Sequence, residues 1–234
     1  MSANPVEEFI RLLKKSPADG VFNPWWEFDR QTDIGRNAPA IRRKQLRAYL
    51  SKRLATADVA IIGEAVGYRG GHFSGIPMTS ERILLGKKRE AGIDPEQIFL
   101  GINPRRTSKP EKCPDGFSEP TATIVWGMLF RLSLRPDQFV LWNAFPWHSF
   151  DPYRGLLSNR TPNKSEPAAG LPVLKAFLEL FQFEQVVALG KIAAAQLEEL
   201  GVGAHYVRHP ASGGARLFRA QIAEILKTRR DQAI

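Results

Sequence analysis

The chain has very little cysteine. Only Cys113 occurs among its 234 residues, which excludes an internal disulfide and a four-cysteine iron–sulfur cluster. Its four histidines have no cysteine pair beside them and do not form the ligand pattern of a zinc site. Long apolar runs are also lacking, which excludes a transmembrane helix, and the N-terminal stretch has no signal-peptide core. We therefore expect a cytoplasmic protein that is not associated with a membrane.

Acidic residues are in the minority. The sequence has 24 Asp and Glu against 33 Lys and Arg, a net charge of +9. A protein this basic is suited to a polyanion, and nucleic acid is the first candidate. A basic surface without a specific partner is the alternative interpretation.

Several common enzyme motifs are lacking as well. No G-x-G-x-x-G fingerprint follows a predicted strand, and no phosphate-loop lysine is found. A G-x-S-x-G nucleophile elbow is absent too. These absences disfavour a nucleotide cofactor and an esterase.

What the sequence does contain is an alternation of strands and helices, which is typical of a parallel α/β sheet. The predicted strands are 59–62, 98–102, 139–142, 186–189 and 204–207. The predicted helices are 5–15, 38–54, 121–134, 171–181, 192–200 and 215–229. We predict a single α/β domain over 1–234, a three-layer α/β/α sandwich with a central, mostly parallel four-stranded sheet. It comprises N-terminal helices (1–57), a motif-bearing core (58–214) and a C-terminal helix (215–234).

The helix over 38–54 carries many basic residues. Such a run usually forms a solvated face, and we interpret it in that way here. Its basic residues are Arg42, Arg43, Lys44, Arg47, Lys52 and Arg53.

Three polar segments occur at the ends of predicted strands. They are Gly63–Tyr68, Trp142–Pro146 and Arg208–Gly214. Because the carboxyl ends of parallel strands open into one crevice, these segments predict one composite site. Alone, Asn143 is better explained as bonding a turn, and His209 as a structural histidine. The hypothesis of a site depends on the three segments occurring together and in this order.

Taken together, the three segments resemble the uracil-DNA glycosylase superfamily. In that superfamily a Gly-Glu/Gln-x-Pro-Gly/Tyr loop follows the first strand, a later strand ends in Asn, and a His-Pro motif comes last. The matching residues here are Gly63–Gly67, Asn143 and His209–Ser212. The order and strand context agree over roughly residues 59–214.

The resemblance implies a role for each segment. Asn143 would hold the edge of a flipped-out uracil and reject cytosine, whose donor and acceptor positions are exchanged. His209 would stabilise the negative charge that develops on the departing base. Backbone amides of the Gly63–Gly67 loop would hold another carbonyl of the base.

The first motif departs from the best-known branch of the superfamily. Ala65 occupies the position of the aspartate that activates water, so the nearby Glu64 is the alternative for that role. The tyrosine that excludes thymine falls at Gly67, with Tyr68 next to it. The phenylalanine that stacks on uracil falls at Met78, with Phe73 as its substitute, and core packing is the other explanation for Met78.

The last motif implies contacts with DNA. A side chain after the motif enters the duplex where the base was, and Arg216 or Leu217 is the expected wedge. The alternative interpretation is that both residues simply begin the last helix. The other residues expected at the DNA are Ser212, Gly213, Arg208 and Arg69.

The resemblance therefore implies a DNA repair enzyme that hydrolyses the glycosidic bond of uracil in single- or double-stranded DNA. We expect a monomer that needs no metal or other cofactor. No lysine is tied to the motifs, so a lyase step through a Schiff base is not expected. Two rivals stay open: an inactive relative that binds DNA, and a small-molecule hydrolase on the same scaffold with Glu64 and His209 as an acid–base pair.

Overall fold

The computed structural model describes residues 4–163 and 165–232, with side chains through residue 227. Its strands are β1 (Val21–Phe22), β2 (Val59–Ala65), β3 (Phe139–Phe145), β4 (His148–Ser149), β5 (Gln185–Leu189) and β6 (His205–Val207). Its α-helices are α1 (Pro5–Leu12), α2 (Ala38–Ser51), α3 (Gly71–Ser74), α4 (Glu81–Leu84), α5 (Pro95–Phe99), α6 (Pro120–Arg131), α7 (Glu166–Glu179), α8 (Lys191–Glu199) and α9 (Ala215–Gln232). Among the described residues, no helix has the length and apolar character needed to cross a bilayer.

The central sheet has four parallel strands in the order β3-β2-β5-β6, with helices around it, so the predicted three-layer α/β/α fold is confirmed. From β2 the chain first adds β3 on one side and later places β5 and β6 on the other. A reversal of this kind opens a crevice at the carboxyl ends of the strands. β1 and β4 form a separate antiparallel pair.

The core is built largely from aromatic side chains beside β3. Trp142 is fully buried and its ring stacks on Phe177 of α7, with centroids 4.9 Å apart. Phe9 of α1 meets the same indole edge-on at 5.1 Å. Such rings bury a large apolar area in a defined geometry, which holds the carboxyl end of β3 in a rigid setting.

The predicted strand over 98–102 is wrong. Asp94 caps a short helix there: its side chain accepts from Glu96 N at 3.0 Å, and Gln97 completes a capping box. Pro95, at the first helical position, needs no hydrogen-bond acceptor and already has a helical φ. The helix α5 ends when Leu100 turns left-handed, at φ +49°. Local capping therefore outweighed the short apolar run.

The solvated-face interpretation of residues 38–54 is wrong for two arginines. Arg42 and Arg53 are fully buried, whereas Lys44 and Lys52 are exposed. The Arg53 guanidinium donates to three carbonyl oxygens, those of Tyr49 (2.9 Å), Ile98 (2.9 Å) and Phe139 (3.1 Å). An arginine can be buried when its donors are matched in this way, and here it ties α2 to α5 and β3.

Candidate active site

The polar strand ends meet at one edge of the sheet. β2 and β3 run in parallel register, so Gly63 lies directly beside Asn143. Both strands continue beyond the apolar runs that predicted them, to Ala65 and Phe145, because these two residues still pair. Glu64 is therefore held by strand pairing rather than by a loop.

Gly63 leaves room for two larger side chains. A Cβ built at Gly63 would lie 2.7 Å from the amide end of Asn143 and 3.0 Å from Met78 Sδ. Met78 is nearly buried and has a left-handed backbone, with φ +49°. Its sulfur thus lies beside the carboxyl end of β2. Phe73 is placed differently, since it is fully buried and stacks on Phe117 with centroids 4.2 Å apart.

The amide of Asn143 is 1% exposed and bonds to the main chain. When it is oriented so that both polar atoms have partners, its nitrogen donates to Trp142 O at 3.2 Å. Its oxygen accepts from Val66 N, also at 3.2 Å. These contacts use one N–H and one lone pair, so one donor and one acceptor are left for a ligand.

His209 lies two residues beyond β6, and the backbone determines its tautomer. Its Nδ1 accepts a hydrogen bond from Ala211 N at 3.1 Å, so the ring proton of the neutral imidazole is on Nε2. Burial, and secondarily the charge of Arg208, lower the pKa of His209 below its usual value. At neutral pH the side chain is therefore an uncharged Nε2–H donor.

A cavity of about 220 Å³ brings the first and last motifs together. Its walls include Glu64, Ala65, Gly67, His209 and Ala211. A second cavity of about 570 Å³ adjoins it and contains Tyr68, Arg69 and Ser212. The residues common to both are Glu119, Thr121, Asn159 and Ala211. The two form a pocket with a wide entrance, which we call the motif pocket.

Two carboxyl groups lie in the motif pocket. Burial raises the pKa of Glu64, which is half-buried. Sequence reasoning missed Glu119, whose pKa burial raises to about 7. The sequence offered only one signal for Glu119: an acidic residue directly before Pro120, which opens the apolar helix α6.

A further part of the pocket lining was also missed and is formed by Asn159 and Arg160. Asn159 Oδ1 accepts from Tyr68 N at 3.0 Å and so anchors the first motif. Arg160 is neutralised by Glu166, with its NH1 2.8 Å from Oε2. Both residues come from a polar loop that precedes α7 and has no recognisable motif.

The last motif leads directly into α9 at the protein surface. Ser212 and Gly213 are exposed and left-handed, at φ +52° and +78°. Arg216 and Leu217 lie in the first turn of α9, and Leu217 is 51% exposed although Phe218 beside it is buried. About half of the Leu217 surface is therefore open to solvent beside the last motif.

The other two basic residues predicted to contact DNA, Arg69 and Arg208, lie close to the motifs. Arg69 is exposed, with its guanidinium 5.2 Å from the Tyr68 ring centroid. Arg208 is half-buried and donates to His209 O at 3.2 Å. Among the described residues, no group of three or more His, Cys, Asp or Glu side chains is arranged to hold a metal ion.

Comparison with protein families gives one match, to the model of the uracil DNA glycosylase superfamily over residues 53–229. The chain belongs to this superfamily. Membership supports a DNA glycosylase with a role in DNA repair, and it implies DNA binding. The match spans all three motifs, so the resemblance drawn from them is confirmed.

A solved structure agrees with this assignment at the level of the fold. The crystal structure of wild-type SMUG2 from Pedobacter heparinus superimposes with a TM-score of 0.60 and 14% identity. The alignment covers 97% of this chain and 98% of that one. A comparison with curated protein sequences finds no significant match.

Proposed function

We propose that this superfamily member is a monofunctional DNA glycosylase that releases uracil from DNA and leaves an abasic site. The observation that carries the proposal is the position of His209: this residue, whose ring proton is on Nε2, lines the same cavity as Glu64 and Ala65. An oriented, neutral donor suits a reaction in which negative charge develops on a leaving base.

The reaction requires the base to leave the helical stack and enter the pocket. As the C1′–N1 bond breaks, positive charge builds on the sugar and negative charge on the uracil. His209 donates to the uracil carbonyl where that charge collects. Asn143 presents its remaining donor and acceptor to the base edge, and Met78 and Tyr68 contact the base.

Rejection of cytosine follows from the same amide. Uracil offers an acceptor and an N–H where cytosine offers an amino donor and a bare ring nitrogen. Asn143 is held by Val66 N and Trp142 O and cannot rotate without losing both bonds. The fixed amide therefore forms hydrogen bonds with uracil. With cytosine it places donor opposite donor and acceptor opposite acceptor, which leaves buried polar atoms unpaired.

The proposal is tested with an end-labelled oligonucleotide containing one uracil, incubated with the protein and EDTA and then treated with alkali. We expect strand cleavage at the uracil only after alkali, on single- or double-stranded DNA. Asn143→Ala should slow release by roughly 10- to 100-fold, the effect of losing about 1–3 kcal/mol of buried hydrogen bonding.

Asn163→Ala is the matched control, because Asn163 belongs to none of the three motifs and bonds Glu166. A clean wild-type protein that cleaves no uracil substrate would contradict the proposal. In that case DNA binding without cleavage would favour the inactive relative. The absence of DNA affinity at low salt would favour the small-molecule hydrolase.

Leu217 is proposed as the wedge that fills the vacated position in the duplex. We expect Leu217→Ala to slow uracil release from double-stranded DNA by roughly tenfold, since unstacking a base step costs a few kcal/mol. Single-stranded DNA has no base-paired stack in which a wedge would fill the vacated position, so the rate of uracil release from it should be unchanged. Leu12→Ala on α1 is the control, because Leu12 is also exposed (42%) but far along the chain from the motifs. Equal losses on both substrates would contradict a wedge role.

A further inference from the structure

Glu119 occupies a helix-capping position but does not cap the helix. It is the N-cap residue of α6, yet its carboxylate makes no capping hydrogen bond. Instead, Oε2 is buried and has no hydrogen-bond partner among the described residues. A buried, unpartnered carboxylate oxygen is costly, so its presence beside a pocket calls for a functional explanation.

One glycine of the first motif and another just after it make room for this carboxyl group. A Cβ built at Gly70 would lie 2.0 Å from Glu119 Oε2, and one built at Gly67 would lie 3.1 Å from Oε1. No other residue type fits at Gly70 while Glu119 keeps this position. The carboxyl group therefore lies against the same motif whose own carboxylate is missing at Ala65.

We propose that Glu119 is the base that accepts a proton from the attacking water, so that α6 supplies the carboxylate that the first motif lacks. This proposal rests on the proposed function and assigns a further catalytic group to it. The carboxyl group holds the water by one hydrogen bond on its pocket side, while Oε2 lies against Gly70 and Oε1 near Gly67, which fixes the orientation of the group.

The step is a hydrolysis in which all atoms are accounted for. The water oxygen bonds to C1′ of the deoxyribose, and the C1′–N1 bond breaks with its electron pair leaving on the uracil. One water proton passes to Glu119, and His209 Nε2–H stabilises the uracil anion. Glu119 then returns the proton to the uracil through solvent, so the products are neutral uracil and an abasic sugar.

Glu64 is the competing carboxylate in the pocket. It belongs to the same cavity and is half-buried, and burial raises its pKa as well. Glu119 differs in having an oxygen that is both buried and unpartnered. The other titratable or charged groups around the pocket are His209, Arg160, Tyr68 and Arg69.

The pH profile separates these groups. A base must be deprotonated, and burial raises the pKa of Glu119 to about 7. We therefore expect the single-turnover rate on a uracil oligonucleotide to rise about tenfold per pH unit below 7 and to level off above it. We call this rise of the rate below pH 7 the limb of the profile. The pKa of His209 is lowered, so its titration lies at more acidic pH and does not produce this limb.

Glu119→Gln should lower the rate at pH 8 by roughly 100-fold and remove the limb near pH 7. Glu64→Gln should keep the limb, whatever its effect on the plateau rate. Glu111→Gln, an exposed glutamate outside the pocket, should match the wild type. Thermal melting of each variant verifies folding, and the wild-type profile tests the proposal even if Glu119→Gln does not fold.

Several outcomes would overturn the assignment. These are a flat wild-type profile, a limb that disappears in Glu64→Gln but not in Glu119→Gln, or a Glu119→Gln variant with the wild-type rate. In all of these the wild type still releases uracil, so the proposed function survives. A wild type that releases no uracil at any pH removes the proposed function, and the role of Glu119 with it.

Discussion

Replacing His209 with alanine is expected to slow uracil release by roughly 100- to 1000-fold, which is the usual effect of removing one oriented donor from a site where charge develops. The reason is the fixed tautomer. Ala211 N occupies Nδ1 at 3.1 Å, so the only ring proton is on Nε2. No other histidine is among the residues that line the motif pocket.

The measurement is a single-turnover rate at pH 8 on the uracil oligonucleotide, beside DNA affinity measured by gel shift. The chemical step should fall while affinity for uracil-free DNA is kept, because the lost interaction is made in the transition state. His205→Ala is the matched control, since His205 lies on β6 four residues earlier and is exposed. A His209→Ala rate within threefold of the wild type would rule out the proposed role.

The second large effect concerns stability. Arg42→Met should lower the free energy of unfolding by about 3–5 kcal/mol, because it leaves a buried carboxylate without its partner. Arg42 and Asp33 are both fully buried and form a two-pronged pair, with N–O distances of 2.6 and 3.0 Å. The same guanidinium donates to Glu27 O at 3.0 Å and to Pro24 O.

Urea denaturation at pH 7 measures this effect through the midpoint at constant m-value. Arg47→Met is the matched control on the same helix. The Arg47–Glu7 pair is about one-third exposed, so its loss should cost no more than about 1 kcal/mol. The double variant Arg42→Met, Asp33→Leu should recover part of the loss, because it removes the orphaned charge. A loss below 1 kcal/mol in Arg42→Met would contradict the argument.

The confirmed part of the sequence prediction depended on local signals. Runs of β-branched residues predicted the four sheet strands, and polar residues at their ends predicted a shared crevice. The failures had a different origin. The strand predicted over 98–102 ignored the cap at Asp94, and the solvated interpretation of Arg42 assumed that charge implies exposure.

The predictions for the candidate site also divide into those that local signals supported and those that needed the fold. Gly63 pairs with Asn143 across β2 and β3, and His209 follows β6 at the carboxyl end of the same parallel sheet, so sequence order was sufficient to predict this end of the sheet. The role proposed for Phe73 could not be weighed against Met78 from spacing alone, since both follow the same strand. In the structure Phe73 packs on Phe117, while Met78 adjoins Gly63.

The sequence by itself determined the sheet, its crevice and the superfamily, because each of these depends on short patterns and their order along the chain. Only the tertiary structure decided which charged groups are buried and which carboxyl groups share the pocket. Glu119 is far from Ala65 in sequence but lies against Gly67 and Gly70, because α6 packs beside the first motif. Burial and contact between distant segments arise from packing, and no local pattern encodes them.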